Sequence, residues 1–413
     1  MIARARGCVV ATHGQLIEAE LPFARVGDGV RVCARDVRVN ARIAALRDGR
    51  AVLAPFGALQ GVARGDAVAA EPAVLTLPLG TPLLGRAVDA ACAPLDSLPP
   101  PRGRRCTADA APLAVALRRP CTAVCWTGVR AIDGPLAIGR GARVGLFGAP
   151  GAGKSTLLDL IVKGARADAV VIGLIGERGR EAERRLANLD GRTTLVCATG
   201  DRAPAERVRA AEIAFAQAAA LRARGLDVLL VVDSLARVAN AARELALAAG
   251  EPPGRGGYPP SVFGVMTRML ERAGATKEGS VTLIATVLSD GPDERDPVSE
   301  AARAALDGHL VLADRLARAG RFPAIDLAAS SSRTFADVAG PAHLGGARVL
   351  RAAVAALDDS REARAMGLPP ADPFLVRCVA LEPSIEAFLR QGSEPSEPAA
   401  TLTELARLAD ILT

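Results

Sequence analysis

Five uninterrupted apolar runs in the middle of the chain constrain its fold most strongly. They cover residues 142–148, 169–176, 193–200, 227–233 and 280–287. Stretches with a helical spacing of apolar residues separate them, for example residues 203–225. Strands that are apolar along their whole length are buried on both faces, and strands that alternate with helices form mainly parallel sheets. The sequence therefore predicts an α/β core in which helices cover both sides of a parallel sheet.

The regions on either side of this core show different patterns. Residues 1–75 contain short apolar stretches spaced by Gly, Asp and charged residues, which is typical of a small β-barrel or sandwich. Residues 76–139 include Pro- and Gly-rich stretches and are predicted to form a linker and edge segment of the core domain, which would extend from 76 to 340. The strand pattern then stops, and residues 341–413 are predicted to form a helical C-terminal domain.

The composition is that of an ordinary globular protein. Half of the 413 residues are hydrophobic, 23% are charged and the net charge is +6. No apolar run approaches the roughly 18 residues of a membrane-spanning helix, and the first twenty residues do not form a signal peptide. The eight cysteines are scattered without zinc-site spacing, which predicts free thiols in a reducing compartment. These features together predict a cytoplasmic protein.

One glycine-rich segment of the core has the spacing of a phosphate-binding P-loop. It consists of Gly148, Ala149, Pro150, Gly151, Ala152, Gly153, Lys154 and Ser155, between a predicted strand and a predicted helix. Glycines allow successive backbone N–H groups to face phosphate oxygens at the positive end of the helix. The Lys154 ammonium could reach the β- and γ-phosphates, and the Ser155 hydroxyl could ligate Mg²⁺. The segment predicts binding of a nucleoside triphosphate, and the simpler alternative is a glycine-rich turn that matches by chance.

Two acidic residues follow other strands of the predicted sheet. Asp233 ends one apolar run, and Glu177 comes directly after another. Because parallel strands end at the same edge of a sheet, both carboxylates are expected near the P-loop. Asp233 could hold Mg²⁺ and could also cap the next helix. Glu177 could polarise the water that attacks the γ-phosphate, or it could belong to a surface cluster of ion pairs with Arg178 and Arg180.

Longer strings around these residues resemble the ATPases of type III secretion systems. The strings are GERGRE at 176–181, the segment 233–263 that ends in GYPPSVF, and the segment 296–333 that contains LDGH and PAID. This family serves flagella and virulence injectisomes and is related to the catalytic subunits of rotary ATP synthases. Residues 53–68 and 80–96 are also similar to the family's barrel and linker. The resemblance implies a RecA-like P-loop core with a small N-terminal β-barrel and a helical C-terminal domain.

The resemblance also implies a role for each matching residue of one subunit. ATP and Mg²⁺ would be the ligands, and hydrolysis the reaction. The matching positions are Lys154, Ser155 and Thr156 for the phosphates and Mg²⁺, Asp233 for Mg²⁺, Glu177 as the general base, and Arg178 as a contact to the γ-phosphate from the same subunit.

Arg333, at the end of the string PAIDLAASSSR (residues 323–333), matches the family's arginine finger, which reaches into the site of a neighbouring subunit. An arginine suits this task because its fixed charge and planar donors can meet the charge that develops on the transferred phosphoryl group. The chain departs from the family immediately after this residue. The usual Val-Met pair is replaced by Thr334 and Phe335.

The implied partners follow from the same resemblance. The chain would form a homohexamer that associates with the stator or regulator and central stalk proteins of the export apparatus. It would bind complexes of chaperones and export substrates at the export gate, where hydrolysis would drive chaperone release and unfolding. The expected location is the cytoplasm, peripheral at the cytoplasmic face of the inner membrane, and no specific nucleic acid is expected.

Three other functions are compatible with parts of the sequence. A rotary ATP synthase catalytic subunit would share the GER motif, although the GYPPSVF string argues against it. An RNA-translocating hexamer would need stacking aromatics in the N-terminal domain, yet residues 1–75 contain only Phe23 and Phe56. A non-catalytic assembly subunit would bind nucleotide without turning it over, and the presence of Lys154, Glu177 and Asp233 argues against it.

Overall fold

The N-terminal region folds into a closed antiparallel barrel. The computed structural model of the chain describes residues 5–109, 111–288 and 296–413. The barrel strands are β1 (Arg6–His13), β2 (Leu16–Glu20), β3 (Gly29–Cys33), β4 (Arg38–Arg47), β5 (Arg50–Pro55) and β6 (Ala67–Ala70). They close in the order β1-β2-β5-β4-β3-β6. Alternate side chains such as Val30, Val32 and Ile43 fill the interior, as the period of two along a strand requires.

Short elements connect the barrel to the core. They are β7 (Thr76–Leu77), β8 (Ala87–Val88), β9 (Cys106–Thr107), β10 (Val124–Cys125), α1 (Arg130–Asp133) and β11 (Ile138–Gly139). Strand β7 pairs with β9, and β10 pairs with β11. Strand β8 joins the edge of the central sheet beside a later strand, so this part of the chain is not a free linker.

The core is a nine-stranded sheet covered by helices. Its remaining strands are β12 (Arg143–Gly148), β13 (Ala169–Ile175), β14 (Thr193–Ala198), β15 (Asp227–Asp233), β16 (Gly274–Ala275), β17 (Ser280–Leu288), β18 (Gly308–Leu312) and β19 (Ile325–Ser332). The helices between them are α2 (Lys154–Gly164), α3 (Gly179–Ala187), α4 (Pro204–Arg222), α5 (Leu235–Ala248), α6 (Pro260–Leu270), α7 (Pro297–Ala305) and α8 (Asp314–Arg318).

The strand order fixes where the functional residues lie. It runs β19-β18-β12-β17-β15-β13-β14-β8, with β16 paired to β17. Strands β12, β13, β14, β15, β17 and β18 are parallel, whereas β19 runs antiparallel to β18. Every residue of β13 is buried, as expected for a strand covered on both faces. The predicted α/β core is therefore confirmed.

The C-terminal region is helical, as predicted. Its helices are α9 (Phe335–Val338), α10 (Pro341–Asp359), α11 (Arg361–Ala365), α12 (Pro373–Leu389) and α13 (Pro398–Leu412). Helix α10 packs against α12 and α13, and also against β19 of the core. Among the described residues, none of the helices combines the length and apolar character that a membrane crossing requires.

A buried ion cluster joins the barrel to the core. The Arg42 guanidinium of the barrel donates to both carboxylate oxygens of Glu212 on α4, over 2.9 and 3.1 Å. Arg209, one turn earlier on α4, is only 1% exposed and lies 3.6 Å from the same carboxylate. Its guanidinium carbon lies 5.3 Å from the ring centroid of Phe56, and a terminal nitrogen donates to the carbonyl of Leu75. Because buried charges need close partners, this cluster ties the two regions together.

Candidate active site

The P-loop lies where predicted, between β12 and α2. Gly151 and Gly153 have φ angles of +85° and +91°, which glycine adopts without steric cost. A Cβ atom on Gly148 would come within 3.0 Å of the Leu312 side chain on β18, so this position favours a residue without one. The glycines thus allow the loop to curl back over the start of α2. The start of a helix is also where backbone N–H groups can bind an anion.

The three residues that open α2 carry the polar groups of the loop. The Lys154 ammonium donates to the carbonyl oxygens of Gly148 and Ala149, at 2.6 and 2.7 Å. The ammonium therefore reaches back across the loop to its first two residues. Ser155 and Thr156 occupy the same first turn of α2, and Thr156 is exposed.

Glu177 lies at the end of β13 and is buried, with 8% of its surface exposed. It forms a two-pronged ion pair with Arg237, whose Nε and Nη2 atoms donate over 2.6 and 3.2 Å. Arg178 and Arg180 are exposed and make no ion pair with Glu177 in the described part of the chain. The alternative interpretation of a surface cluster with Arg178 and Arg180 is therefore wrong, because the partner of Glu177 comes from α5.

Asp233 lies at the end of β15, near Glu177. The Thr286 hydroxyl of β17 donates to its Oδ1 atom over 2.6 Å. Burial raises the pKa of Asp233, and the Thr286 hydrogen bond partly opposes that rise. The helix-cap alternative for Asp233 is wrong, because the side chain of Ser234 caps α5 by accepting from the Arg237 backbone N–H.

Sequence reasoning missed two charged residues of this cluster. Arg237 forms the ion pair with Glu177. It lies in the first turn of the helix that follows Asp233, and that position could have placed it near the carboxyl edge of the sheet. Glu181, the last residue of the GERGRE string, has its pKa raised by burial and by the nearby carboxylates of Glu177 and Asp233. Three carboxylates therefore converge at this edge of the sheet, where a bound cation would favour their charged forms.

The side chains present fit a magnesium ion that also binds phosphate. The Ser155 hydroxyl and the Asp233 carboxylate are hard oxygen donors, which Mg²⁺ prefers. No group of three or more His, Cys, Asp or Glu side chains with metal-binding geometry occurs within residues 5–109, 111–288 and 296–413. Mg²⁺ does not need such a cage, because in phosphate-transfer sites it takes one or two protein ligands, phosphate oxygens and water.

Arg333 lies at the opposite edge of the sheet from the P-loop. Strand β19 runs antiparallel to β18, so its end, Ser332, is opposite Gly308 at the start of β18. The Arg333 backbone N–H donates to the Asp307 carbonyl, and the Asp307 carboxylate accepts from the backbone N–H of Arg143 at the start of β12. The P-loop begins at the other end of β12, about 17 Å away at 3.3 Å per residue.

The structure therefore does not bring Arg333 together with the other predicted site residues. Its side chain is exposed, and within the described residues its guanidinium has no ion pair and donates no hydrogen bond. The other predicted residues, Gly148 to Thr156, Glu177, Arg178 and Asp233, all follow the carboxyl ends of β12, β13 and β15.

A cavity of about 730 Å³ adjoins the P-loop and was not anticipated. Ala152, Thr156, Phe322, Pro323 and Gln391 are among the residues that line it. The aromatic ring of Phe322, which is half exposed, lies 3.9 Å from where a Cβ atom of Gly153 would be. Phe322 lies within the segment 296–333, shortly before β19, and its position beside the P-loop depends on the return of β19 to the sheet.

Comparison with known proteins identifies the family. Residues 128–332 match the ATP synthase alpha/beta family, nucleotide-binding domain. The chain is 40% identical to the flagellum-specific ATP synthase of Pseudomonas aeruginosa, over 98% of this chain and 93% of that protein. It is also 40% identical to the type 3 secretion system ATPase of Sinorhizobium fredii, over 94% of this chain and 88% of that protein. The chain belongs to the type III secretion and flagellar export ATPases.

The architecture of this export ATPase agrees with that of a solved relative. The assembled ATPase EscN from the type III secretion system of enteropathogenic E. coli superimposes with a TM-score of 0.92. That match has 36% identity and covers 98% of this chain and all of EscN. A second EscN structure, in complex with its central stalk EscO, matches with a TM-score of 0.89. The predicted RecA-like core, barrel and helical C-terminal region of the export ATPase are confirmed.

Proposed function

We propose that this ATPase works as a homohexamer whose active sites lie between subunits. The observation that carries the proposal is the position of Arg333, at the opposite edge of the sheet from the P-loop, with an exposed and unpaired guanidinium in the described part of the chain. A finger about 17 Å from its own P-loop cannot complete its own site. It suits the P-loop edge of a second copy, where it would meet the transferred phosphoryl group.

Within one subunit, each polar group has a distinct task in the proposed reaction. The loop backbone and Lys154 bind the phosphates of ATP, and Ser155 and Asp233 would hold Mg²⁺, which would supply charge neutralisation to the phosphates. Glu177 orients and polarises the attacking water. Because Arg237 occupies both oxygens of the Glu177 carboxylate, we expect this ion pair to loosen before Glu177 receives a proton. Thr156 and Arg178 contact the phosphates from the same subunit.

The cavity beside the P-loop is the proposed site of the adenine base. Phe322 offers an aromatic face next to Gly153, and stacking on such a face is a common way to hold a base. The lining combines apolar side chains such as Leu157 and Leu312 with charged and polar ones, and the amide of Gln391 could read the base edge.

The reaction is proposed to power protein export. The support is similarity to flagellar and type 3 secretion ATPases over nearly the whole chain. Hydrolysis would release chaperones from export substrates and unfold the substrates at the export gate. The partners would include chaperone–substrate complexes, stator or regulator proteins and a central stalk protein, as the EscN–EscO complex suggests. The protein would act in the cytoplasm, peripheral to the inner membrane.

Mixed rings test the shared site directly. Lys154→Ala removes the phosphate ligand and leaves the finger intact, whereas Arg333→Ala does the opposite. Each variant alone should lose almost all activity, and a mixture should regain ATPase activity, because an Arg333→Ala P-loop can receive the finger of a Lys154→Ala neighbour. Absence of recovery in rings of verified mixed composition, with full activity of Arg333→Ala alone, would overturn the proposal. ATP hydrolysis strongly stimulated by single-stranded RNA would instead favour a nucleic-acid translocase.

A further inference from the structure

The backbone on both sides of Arg333 is held by hydrogen bonds, although its guanidinium is exposed. The Ser332 hydroxyl donates to the carbonyl of Ala137 over 2.8 Å. The Gly139 N–H donates to the Thr334 hydroxyl over 3.0 Å. Both partners lie at or beside β11, in the β10–β11 hairpin. The finger therefore projects from a short platform built by a hairpin that precedes the P-loop in sequence.

An aromatic stack supports the other side of this platform. The ring of Phe335 meets the ring of His343 edge to face, with centroids 5.0 Å apart. The same His343 ring stacks on Trp126, with centroids 6.3 Å apart and planes inclined by 11°. The His343 Nε2 atom lies 2.8 Å from the carbonyl oxygen of Gly134, within hydrogen-bond distance. These separations are those of favourable aromatic pairs, so His343 links the finger segment to the hairpin.

The hairpin side of the stack contacts the end of the P-loop helix. Trp126 follows β10, and its carbonyl accepts from the backbone N–H of Arg166, two residues after α2 ends. The backbones also approach closely at Gly128, where an added Cβ atom would lie 2.9 Å from the Cα atom of Gly164. Continuous contacts thus run from the carboxyl end of α2 through Trp126 to the finger.

We propose that the Trp126–His343–Phe335 stack positions Arg333 and ties the finger of each subunit to the P-loop helix of that same subunit. His343 and Phe335 are positioning residues, because neither lies near the phosphate site of its own subunit. The inference rests on the proposed role of Arg333 in a neighbouring site. As a consequence, nucleotide bound in one subunit would change the position of the Arg333 that the same subunit presents to its neighbour.

Kinetics of two variants test the positioning role. His343→Gln removes the ring but keeps an amide that can hydrogen bond, and Phe335→Leu keeps an apolar side chain without the ring. Each should lower kcat about tenfold and change KM for ATP less than twofold, because the P-loop edge is untouched. His13→Gln and Phe23→Leu, at exposed positions of the barrel, are the matched controls and should leave both constants unchanged.

A double-mutant comparison separates this inference from the proposed function. In an Arg333→Ala background, His343→Gln should cause no further loss, because the residue through which it acts is gone. A further tenfold loss in that background would show a general structural role and overturn the inference. Normal activity of both stack variants, combined with inactivity of Arg333→Ala, would also overturn the inference and leave the shared site standing. Normal activity of Arg333→Ala would overturn both.

The fluorescence of Trp126 gives a second, direct readout, since it is the only tryptophan of the chain. In the assembled protein, a slowly hydrolysed ATP analogue should shift the Trp126 emission. His343→Gln should shift the emission of the free protein to longer wavelength, because one face of the indole becomes hydrated, and should reduce the response to nucleotide. If a saturating concentration of the analogue leaves the emission spectrum of the wild type unchanged, the proposed link between the stack and the P-loop helix is refuted.

Discussion

The two edges of the central sheet present their charges in opposite ways. At the carboxyl edge, the two buried carboxylates already contact partners: Glu177 pairs with Arg237, and Asp233 accepts from Thr286. At the amino edge, the backbone around Arg333 is held but its guanidinium reaches solvent. In the proposed function, the carboxyl edge receives the negative charge of the ATP phosphates, and the amino edge supplies the positive charge of Arg333 to a neighbouring subunit. In the proposed hexamer, one subunit therefore contains two complementary half-sites that face away from each other.

Substitution of Arg333, at the amino edge, should have the largest effect on ATPase activity. Arg333→Ala should lower kcat by ~10³-fold or more with little change in KM, since arginine fingers contribute ~10³–10⁵ to rate. Arg333→Lys should retain only a small part of the kcat that Arg333→Ala loses, because an ammonium lacks the planar pair of donors. Steady-state phosphate release from the assembled protein is the measurement. An Arg333→Ala protein with wild-type kcat would mean that the amino edge contributes nothing to hydrolysis.

Glu177 is the matching residue of the other edge. Glu177→Gln should lower kcat by about 10²–10⁴-fold, the usual contribution of a general base, while nucleotide still binds. Glu181→Gln is the control, because it removes a neighbouring carboxylate of the same cluster without touching the proposed base. Phosphate release and nucleotide binding should be measured on both proteins. Equal losses of kcat in the two would assign the effect to overall charge and not to a base.

Substitution of Phe322 tests ATP binding at the carboxyl edge separately from the hydrolysis step. Phe322→Ala should weaken ATP binding by about tenfold, since stacking on a base contributes ~1–3 kcal/mol, and Phe322→Tyr should retain it. Binding of a fluorescent nucleotide and KM are the measurements. An unchanged affinity in Phe322→Ala would place the base elsewhere. The exposed Phe23 on the barrel serves again as the control position.

Asp133 gives the smallest expected effect, on the stability of the platform between the two edges. It accepts hydrogen bonds from the backbone N–H groups of Thr127 and Gly128. Burial nevertheless raises its pKa to about 6. A raised pKa means that the folded state binds the proton more tightly, so this group stabilises the fold at low pH and loses that contribution as pH rises through about 6.

Asp133→Asn removes this titration. The unfolding free energy of the wild type relative to Asp133→Asn should therefore increase by about 1 kcal/mol between pH 7 and pH 5. Chemical denaturation at the two pH values measures it, and other titrating groups cancel in the comparison. A difference that stays constant across this range would show that Asp133 has an ordinary pKa.

The carboxyl edge was largely predictable from sequence, and the amino edge was not. Continuous apolar runs and parallel-sheet geometry were enough to place Lys154, Glu177 and Asp233 at one edge, because each lies at the end of a parallel strand or shortly after it. The pairing of Glu177 with Arg237 needed the helix after β15 to turn back over β13. The identity of Arg333 came from family strings, since one arginine among many has no distinguishing local pattern. Its position depends on the antiparallel return of β19, which no short-range signal specifies.

The contacts of Thr334 and Phe335 illustrate the same limit. Their departure from the usual Val-Met pair was visible in the sequence. Their partners were not, because Gly139 lies far earlier in the chain and His343 lies on α10. Hydrophobic pattern predicts which face of an element is buried and does not predict which other element buries it.

The buried cluster of Arg42, Glu212 and Arg209 has a practical consequence for work on this protein. A fragment that begins after the barrel would lose Phe56 and Arg42, and would leave Arg209 and Glu212 of α4 without the groups that shield them. Water would then reach the face of α4 that the barrel covers. The barrel thus acts as a cover for the nucleotide-binding core, and excising it would alter the core itself as well as remove a neighbour.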